Sequence, residues 1–197
     1  MAVVRRSPVS QAADMSAQAA AEKLCELHRA RALAELTAAD ALSPGSDSVA
    51  WRGALIAQVV VVKGLPGPAE TSGGAAVSGA DGDAAVKALA ALGHAEEGLF
   101  FTLARPMADS DASRRAERLR AQIEAVDPSL VLALDDIAAV DVADALGIQR
   151  PAWGREVRVL GRRVVAVDGL EASLTDPARK RRVWDQLKAA RAEGAVY

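Results

Sequence analysis

The chain contains no asparagine, one cysteine and two histidines, and its aromatic residues amount to 3%. Without asparagine, no Asn amide can supply the paired donor and acceptor that reads the edge of a planar heterocycle. The single cysteine, Cys25, excludes an internal disulfide and, without a partner chain, an all-cysteine metal or iron–sulfur site. A metal site or a Ser-His-Asp triad would have to use His28 or His94, and neither lies near a plausible partner. His28 falls on a polar helix; His94 follows Gly93 at a helix end, where a histidine answers the C-terminal dipole. No apolar run approaches the length of a membrane span, and Arg5 and Arg6 are not followed by an apolar signal region. A cytoplasmic protein without a membrane partner is expected. Neither sign of charge dominates: Lys and Arg number 24 against 26 acidic residues, a net charge of -2. No global field therefore draws the chain to nucleic acid, and any DNA contact must be local.

What is present is half apolar, 51%, enough for one good core in a chain of 197 residues. Residues 1–14 mix Ser, Gln, Ala and Arg without periodicity and read as a flexible tail before a single domain over 15–197. From there to about Thr37, Ala, Leu, Glu and Arg without Gly or Pro favour a helix. The stretch from Asp40 to Ser48 is polar and turn-forming, a linker or a loop crossing the sheet edge. The β-branched run from Ala57 to Val62 suits a strand covered on both faces. Leu99 to Leu103, Leu130 to Leu134 and Arg163 to Val167 are further strands, each separated from the last by a helical pattern. The helices between carry single apolar stripes, Val86, Leu89 and Leu92 in one and Ala116, Leu119, Ile123 and Val126 in another. Asp176 and Pro177 supply an N-cap and a first-turn proline for a last helix with Val183, Trp184 and Leu187 facing inward. Strands alternating with helices predict an α/β fold: a three-layer α/β/α arrangement around a central four-stranded, mainly parallel sheet.

The loop after the first of these strands, Lys63 to Glu70, falls at the carboxyl edge of the sheet, the usual place for a ligand in open α/β folds. Gly64, Gly67, Gly73, Gly74, Gly79 and Gly82 let backbone approach a ligand closely, and equally serve to turn a long loop. Neither a Gly-x-x-x-x-Gly-Lys-Ser/Thr motif nor a Gly-x-Gly-x-x-Gly turn follows the strand, which disfavours nucleotide binding of those kinds. Here the sequence resembles the iron–sulfur type of uracil-DNA glycosylase. In that family the first strand runs into Gly-Glu-Ala-Pro-Gly, then a Glu, a glycine-punctuated loop carrying a phenylalanine, and a helix. Lys63-Gly64-Leu65-Pro66-Gly67, Glu70, and the glycines 74, 79 and 82 fall on that pattern, with the register holding into Val86 to Gly93. Arg120 to Leu134 is similar to the family's next helix and strand, and Val164 to Pro177 with Lys180 and Trp184 to Leu187 to its strand, His-Pro loop and final helix. Cys25 to Arg31 resembles the second half of its N-terminal Cys-x-x-Cys segment. The likeness spans roughly residues 22 to 190 and implies a uracil-DNA glycosylase-like domain; the binding residues expected are Lys63, Pro66, Gly67 and Gly74, with Arg179 and Lys180 from the basic run near the start of the last helix.

The departures from that family fall on its chemistry. Excision needs a flipped, stacked base, a stabilised oxocarbenium-like sugar and a stabilised anionic leaving group. The resemblance places the loop acid on Gly64, the stacking phenylalanine on Val77, and the histidine that donates to the departing base on Gly169. Neighbouring Asp168 has the wrong charge for an anion. The cluster ligands fall on Glu22, Ala104 and Arg115, so no iron–sulfur cluster and no other cofactor is expected, and Cys25 reads as an inert, partly buried relic. The six glutamines lie away from the pocket loops.

Three rival constellations remain. Asp135 and Asp136 follow a strand, where paired carboxylates can bind a cation or share a proton, but helix capping is the stronger reading. Arg179 to Arg182 and the group Arg114, Arg115, Arg118 and Arg120 can grip phosphates or form solvated helix faces. Near the start of the last helix, Arg179 to Arg182 oppose the dipole, a tension that a phosphate or an acidic partner relieves. The expected function is a non-catalytic binding or scaffolding subunit in DNA replication or repair, with a protein of that machinery as partner and weak DNA contact at most. The psi subunit of bacterial clamp loaders, which has this kind of fold without the chemistry, is a fold-level analogy. The alternative is a DNA glycosylase for a damaged base, using Asp168, Glu70 or Asp135 in a rearranged pocket.

Overall fold

The structure, a computed structural model, describes residues 8–42, 48–107 and 111–193, with side chains in the first helix from residue 17 on. That helix, α1, runs Pro8–Asp40. It starts earlier than the composition suggests, so of the stretch read as a tail only residues 1–7 lie outside the described residues. Of the linker at Asp40 to Ser48, residues 43–47 also lie outside them. Residues 17–31 are exposed throughout, whereas Ala32, Leu36 and Ala39, spaced to share one helix face, are buried. Cys25 is exposed rather than partly buried, because it belongs to the stretch of α1 that is exposed throughout.

The remaining elements are β1 (Arg52–Gly53), β2 (Val59–Lys63), α2 (Pro68–Thr71), α3 (Ala80–Ala91), β3 (Leu99–Leu103), α4 (Ala112–Val126), β4 (Leu130–Ala133), α5 (Asp136–Leu146), β5 (Val157–Val159), β6 (Arg162–Ala166), α6 (Leu170–Ser173) and α7 (Pro177–Leu187). They build a six-stranded mixed sheet in the order β1-β3-β2-β4-β6-β5. The four strands legible in the sequence lie together and parallel at its centre. The expected four-stranded sheet is therefore extended by one antiparallel strand at each edge. β1 is only two residues long and carries no periodicity. β5 joins β6 through Leu160-Gly161, both at positive φ, a hairpin turn made without the usual Asn-Gly signal.

Alternation along β2 feeds two cores. Val59 and Val61 pack with Leu89 and Leu92 around α3 and with Val183 and Leu187 of α7; Val60 and Val62 pack with Leu36, Leu119, Ile123 and Val142 of α1, α4 and α5. Helices thus cover both faces of the sheet, and all five residues of β2 are buried. Trp184 departs from its expected inward position. One residue on from Val183 it is turned about 100° around α7, and it is 39% exposed. Among the described residues no helix is long and apolar enough to cross a membrane.

Candidate functional site at the carboxyl edge of the sheet

From β2 the chain crosses to β3 on one side, and from β4 to β6 on the other. The crevice between the carboxyl ends of β2 and β4 is the switch point at which open α/β sheets place ligands. A cleft of about 310 Å³ opens there, lined by Lys63, Asp81, Leu134, Asp135, Gly169 and Glu171.

Lys63 ends β2 and is buried. Its ammonium lies 2.8 Å from Asp81 Oδ2 in the first turn of α3, 3.2 Å from Glu171 Oε2 on α6 and 3.4 Å from Glu70 Oε2 on α2. Burial pushes its pKa down, but hydrogen bonds and charge from Asp81, Glu171 and Glu70 outweigh that and raise it above the ordinary lysine value. Glu70 turns back to accept the N–H groups of Gly67, 2.8 Å, and Ser78, 3.2 Å, which fastens both ends of the glycine-rich loop. Burial pushes its carboxyl pKa up; the amides and the Lys63 charge more than compensate, and the net shift is downward.

Asp135 caps α5, accepting from Ala138 N at 2.8 Å, and its other oxygen accepts Gly64 N at 2.8 Å. A Cβ on Gly64 would lie 2.5 Å from Asp135 Oδ1 and 2.6 Å from Ile137 Cβ. Ile137 and Asp135 together therefore fill the space that an acid at 64 would need. The two positions that the resemblance pairs with Gly64 part company. Gly169 lines the cleft at φ +73°, with Arg179 closing beside it. Val77 is fully buried in the core beneath α3, at φ +54°, a conformation rare for a β-branched residue. Arg52 fixes that backbone by donating to the carbonyls of Ala76, 2.9 Å, and Val77, 2.6 Å, with its guanidinium stacked 3.9 Å over Phe101.

The other predicted site residues are scattered. Asp168 holds Arg179 at 2.9 Å, and its own N–H is taken by Gln186 at 2.8 Å. Gln186 thus reaches the strand-end loop after all, from the α7 face that the sequence reading set aside. Pro66 and Gly74 line a separate depression beside Ser48 to Ala50, and Lys180 lines a groove between α3 and α7. Asp136 is paired with Arg150 rather than with Asp135. Arg118 belongs to neither a phosphate grip nor a solvated face. It is 3% exposed and donates to the carbonyls of Leu103 and Ala104, and burial lowers its pKa to about 10. Ala104, one of the expected cluster positions, is fully buried, while Glu22 is exposed on α1. His94 is buried, with Nε2 2.7 Å from the carbonyl oxygen of Ala190, as a structural histidine would be.

Asp81 and Glu171 line the cleft and Ile137 packs beside Gly64, and sequence reasoning singled out none of them as a site residue. Only their long-range placement beside Lys63 and Gly64 distinguishes them. The result is one ammonium facing Glu70, Asp81 and Glu171 in a cleft that Asp135 also lines, an arrangement that disfavours an anionic group there. Among the described residues no group of His, Cys, Asp and Glu is placed to hold a metal ion. No protein-family model matches the chain, and a search of curated proteins finds no match either.

Proposed function

We propose that the chain is a degenerate uracil-DNA glycosylase-fold protein that has exchanged base excision for binding, acting as a scaffolding subunit in DNA replication or repair. The observation that carries this reading is the closure around Gly64. The backbone N–H that would border a catalytic acid is bonded to Asp135, and a side chain at 64 would collide with Asp135 and Ile137. The candidate carboxylates of a rearranged pocket are also engaged: Glu70 by two amides and Lys63, Asp135 by two amides, Asp168 by Arg179. A general acid or base needs a proton-transfer position facing substrate, and the fold already holds each of these carboxylates by an amide or a cation. An anionic leaving group would meet a cleft rich in carboxylates.

The test is a panel of duplexes carrying uracil, hypoxanthine or xanthine, incubated with the full chain and assayed for free base. No release above the protein-free control is expected. Release that disappears in Asp168→Ala or Asp135→Ala overturns the reading and restores a glycosylase.

A further inference from the structure

A large apolar opening lies away from the sheet-edge cleft. Between α3 and α7 runs a groove of about 720 Å³. Ala84 and Ala88 of α3 line it opposite Leu174, Val183 and Leu187, and these short side chains are only partly buried against the core there. Trp184 stands at its edge, 39% exposed, beside the buried Val183 and Leu187. A half-exposed indole over an apolar floor is the composition of an anchor point in a protein interface.

The rim is charged in one sense. Lys87 on α3 and Lys180 and Arg181 on α7 line the groove, against a single carboxylate, Asp83. Among the described residues none of the three cations is in an ion pair; Arg181 reaches only the carbonyl oxygen of Pro177, at 3.5 Å. This excess of positive charge sits on a chain whose net charge is -2. Lys180 and Arg181 also stand in the early turns of α7, whose N-terminal dipole disfavours cations. Negative charge from outside would answer both the unpaired rim and the dipole.

We infer that this groove docks an acidic amphipathic segment of a partner protein, its apolar face against Trp184 and the alanine-floored channel and its Asp and Glu side chains against Lys87, Lys180 and Arg181. Helix-in-groove recognition seats apolar anchors about one turn apart in a hydrophobic groove, and this groove is lined by Val183, Trp184 and Leu187 of one helix. The apolar floor favours a peptide over a nucleic-acid strand, which needs cations along a backbone track and several stacking rings. The inference deepens the binding reading above by naming its surface, and it stands or falls without reference to glycosylase activity.

The experiment titrates the full chain into a fluorescein-labelled helical peptide of about 16 residues, with leucines on one face and Glu and Asp elsewhere. Its scrambled isomer, a lysine-for-acid counterpart and a single-stranded oligonucleotide of similar length serve as competitors. The acidic amphipathic peptide is expected to bind about tenfold or more tighter than the scrambled and lysine peptides. Trp184→Ala should weaken it, and Lys87→Glu with Lys180→Glu and Arg181→Glu should transfer the preference to the lysine peptide. These side chains lie at the surface, and unchanged thermal melting of the variants checks that the fold is retained. Equal binding of acidic and lysine peptides, preferential binding of the oligonucleotide, a charge-reversed variant with unchanged preference, or self-association that occludes Trp184 each overturns the inference.

Discussion

Asp135 binds the amide of Gly64 across 71 residues of sequence, with one carboxylate oxygen 2.8 Å from Gly64 N while the other caps α5 at Ala138 N. One side chain therefore joins the ends of the two strands that flank the switch point. Asp135→Ala removes a cap worth about 1 kcal/mol and orphans an amide at about 1–3 kcal/mol. Denaturant unfolding is expected to show a loss of about 2–4 kcal/mol, with Asp135→Asn intermediate because its amide oxygen can serve only one of the two donors well. A stability equal to the parent's would mean that the bridge contributes nothing.

Gly64→Glu supplies the acid that the resemblance expects at this position. Its Cβ would lie 2.5 Å from Asp135 Oδ1 and 2.6 Å from Ile137 Cβ, so overpacking and like-charge repulsion should cost about 1–3 kcal/mol or more. No base excision is expected to appear. Adding Ile137→Ala should restore little, since the clash with Asp135 persists. Thermal melting of the single and double variants, beside the duplex panel, decides this.

Lys63→Met leaves Glu70 and Asp81 facing each other in the interior without their cation. Breaking a buried pair in this way costs about 3–5 kcal/mol. Replacing Asp81 by Leu in the same variant should recover part of the loss, and a double-mutant cycle in urea measures the coupling. Purely additive effects would show that the contact carries no energy.

The same cluster fixes the pH profile of stability. Glu70 has a folded-state pKa below its ordinary value of 4.5, so its contribution is complete above that value and is lost as pH falls through the folded-state value. Lys63 has a folded-state pKa above 10.5, so its contribution is complete below that value and is lost as pH rises through the folded-state value. A plateau between about pH 5 and 10 is expected, with Glu70→Gln shallowing the acid limb and Lys63→Met the alkaline one. Unchanged limbs in both variants would remove the cluster from the account.

The central strands were legible because a strand buried on both faces is a mostly apolar run, broken here only by Lys63 at the end of β2 and Thr102 in β3. Val59–Lys63 and Leu99–Leu103 show this in their burial, where every position is inside. The edge strands were hidden because an edge needs little apolar surface: β1 has two residues, and β5 turns into β6 through Leu160 at φ +49°. Capping was legible at Asp135 and Asp176, since an N-cap is a local bond between a side chain and amides two or three residues on. Trp184 and Arg118 were misplaced for the opposite reason. A helical stripe is wider than the face that packs, and an arginine's neighbours across a sheet cannot be read from its own helix.

The sequence by itself determined the alternation of strands and helices, the caps, and the lack of Asn, cluster cysteines and an acid at position 64, because each is a property of residue type or of spacing within a few turns. Only the tertiary structure decided that Ile137 fills the space above Gly64, that Lys63 is shared among Glu70, Asp81 and Glu171, and that Trp184 borders an open groove. Those relations join residues far apart along the chain, and they exist only once the sheet has set which strand ends become neighbours.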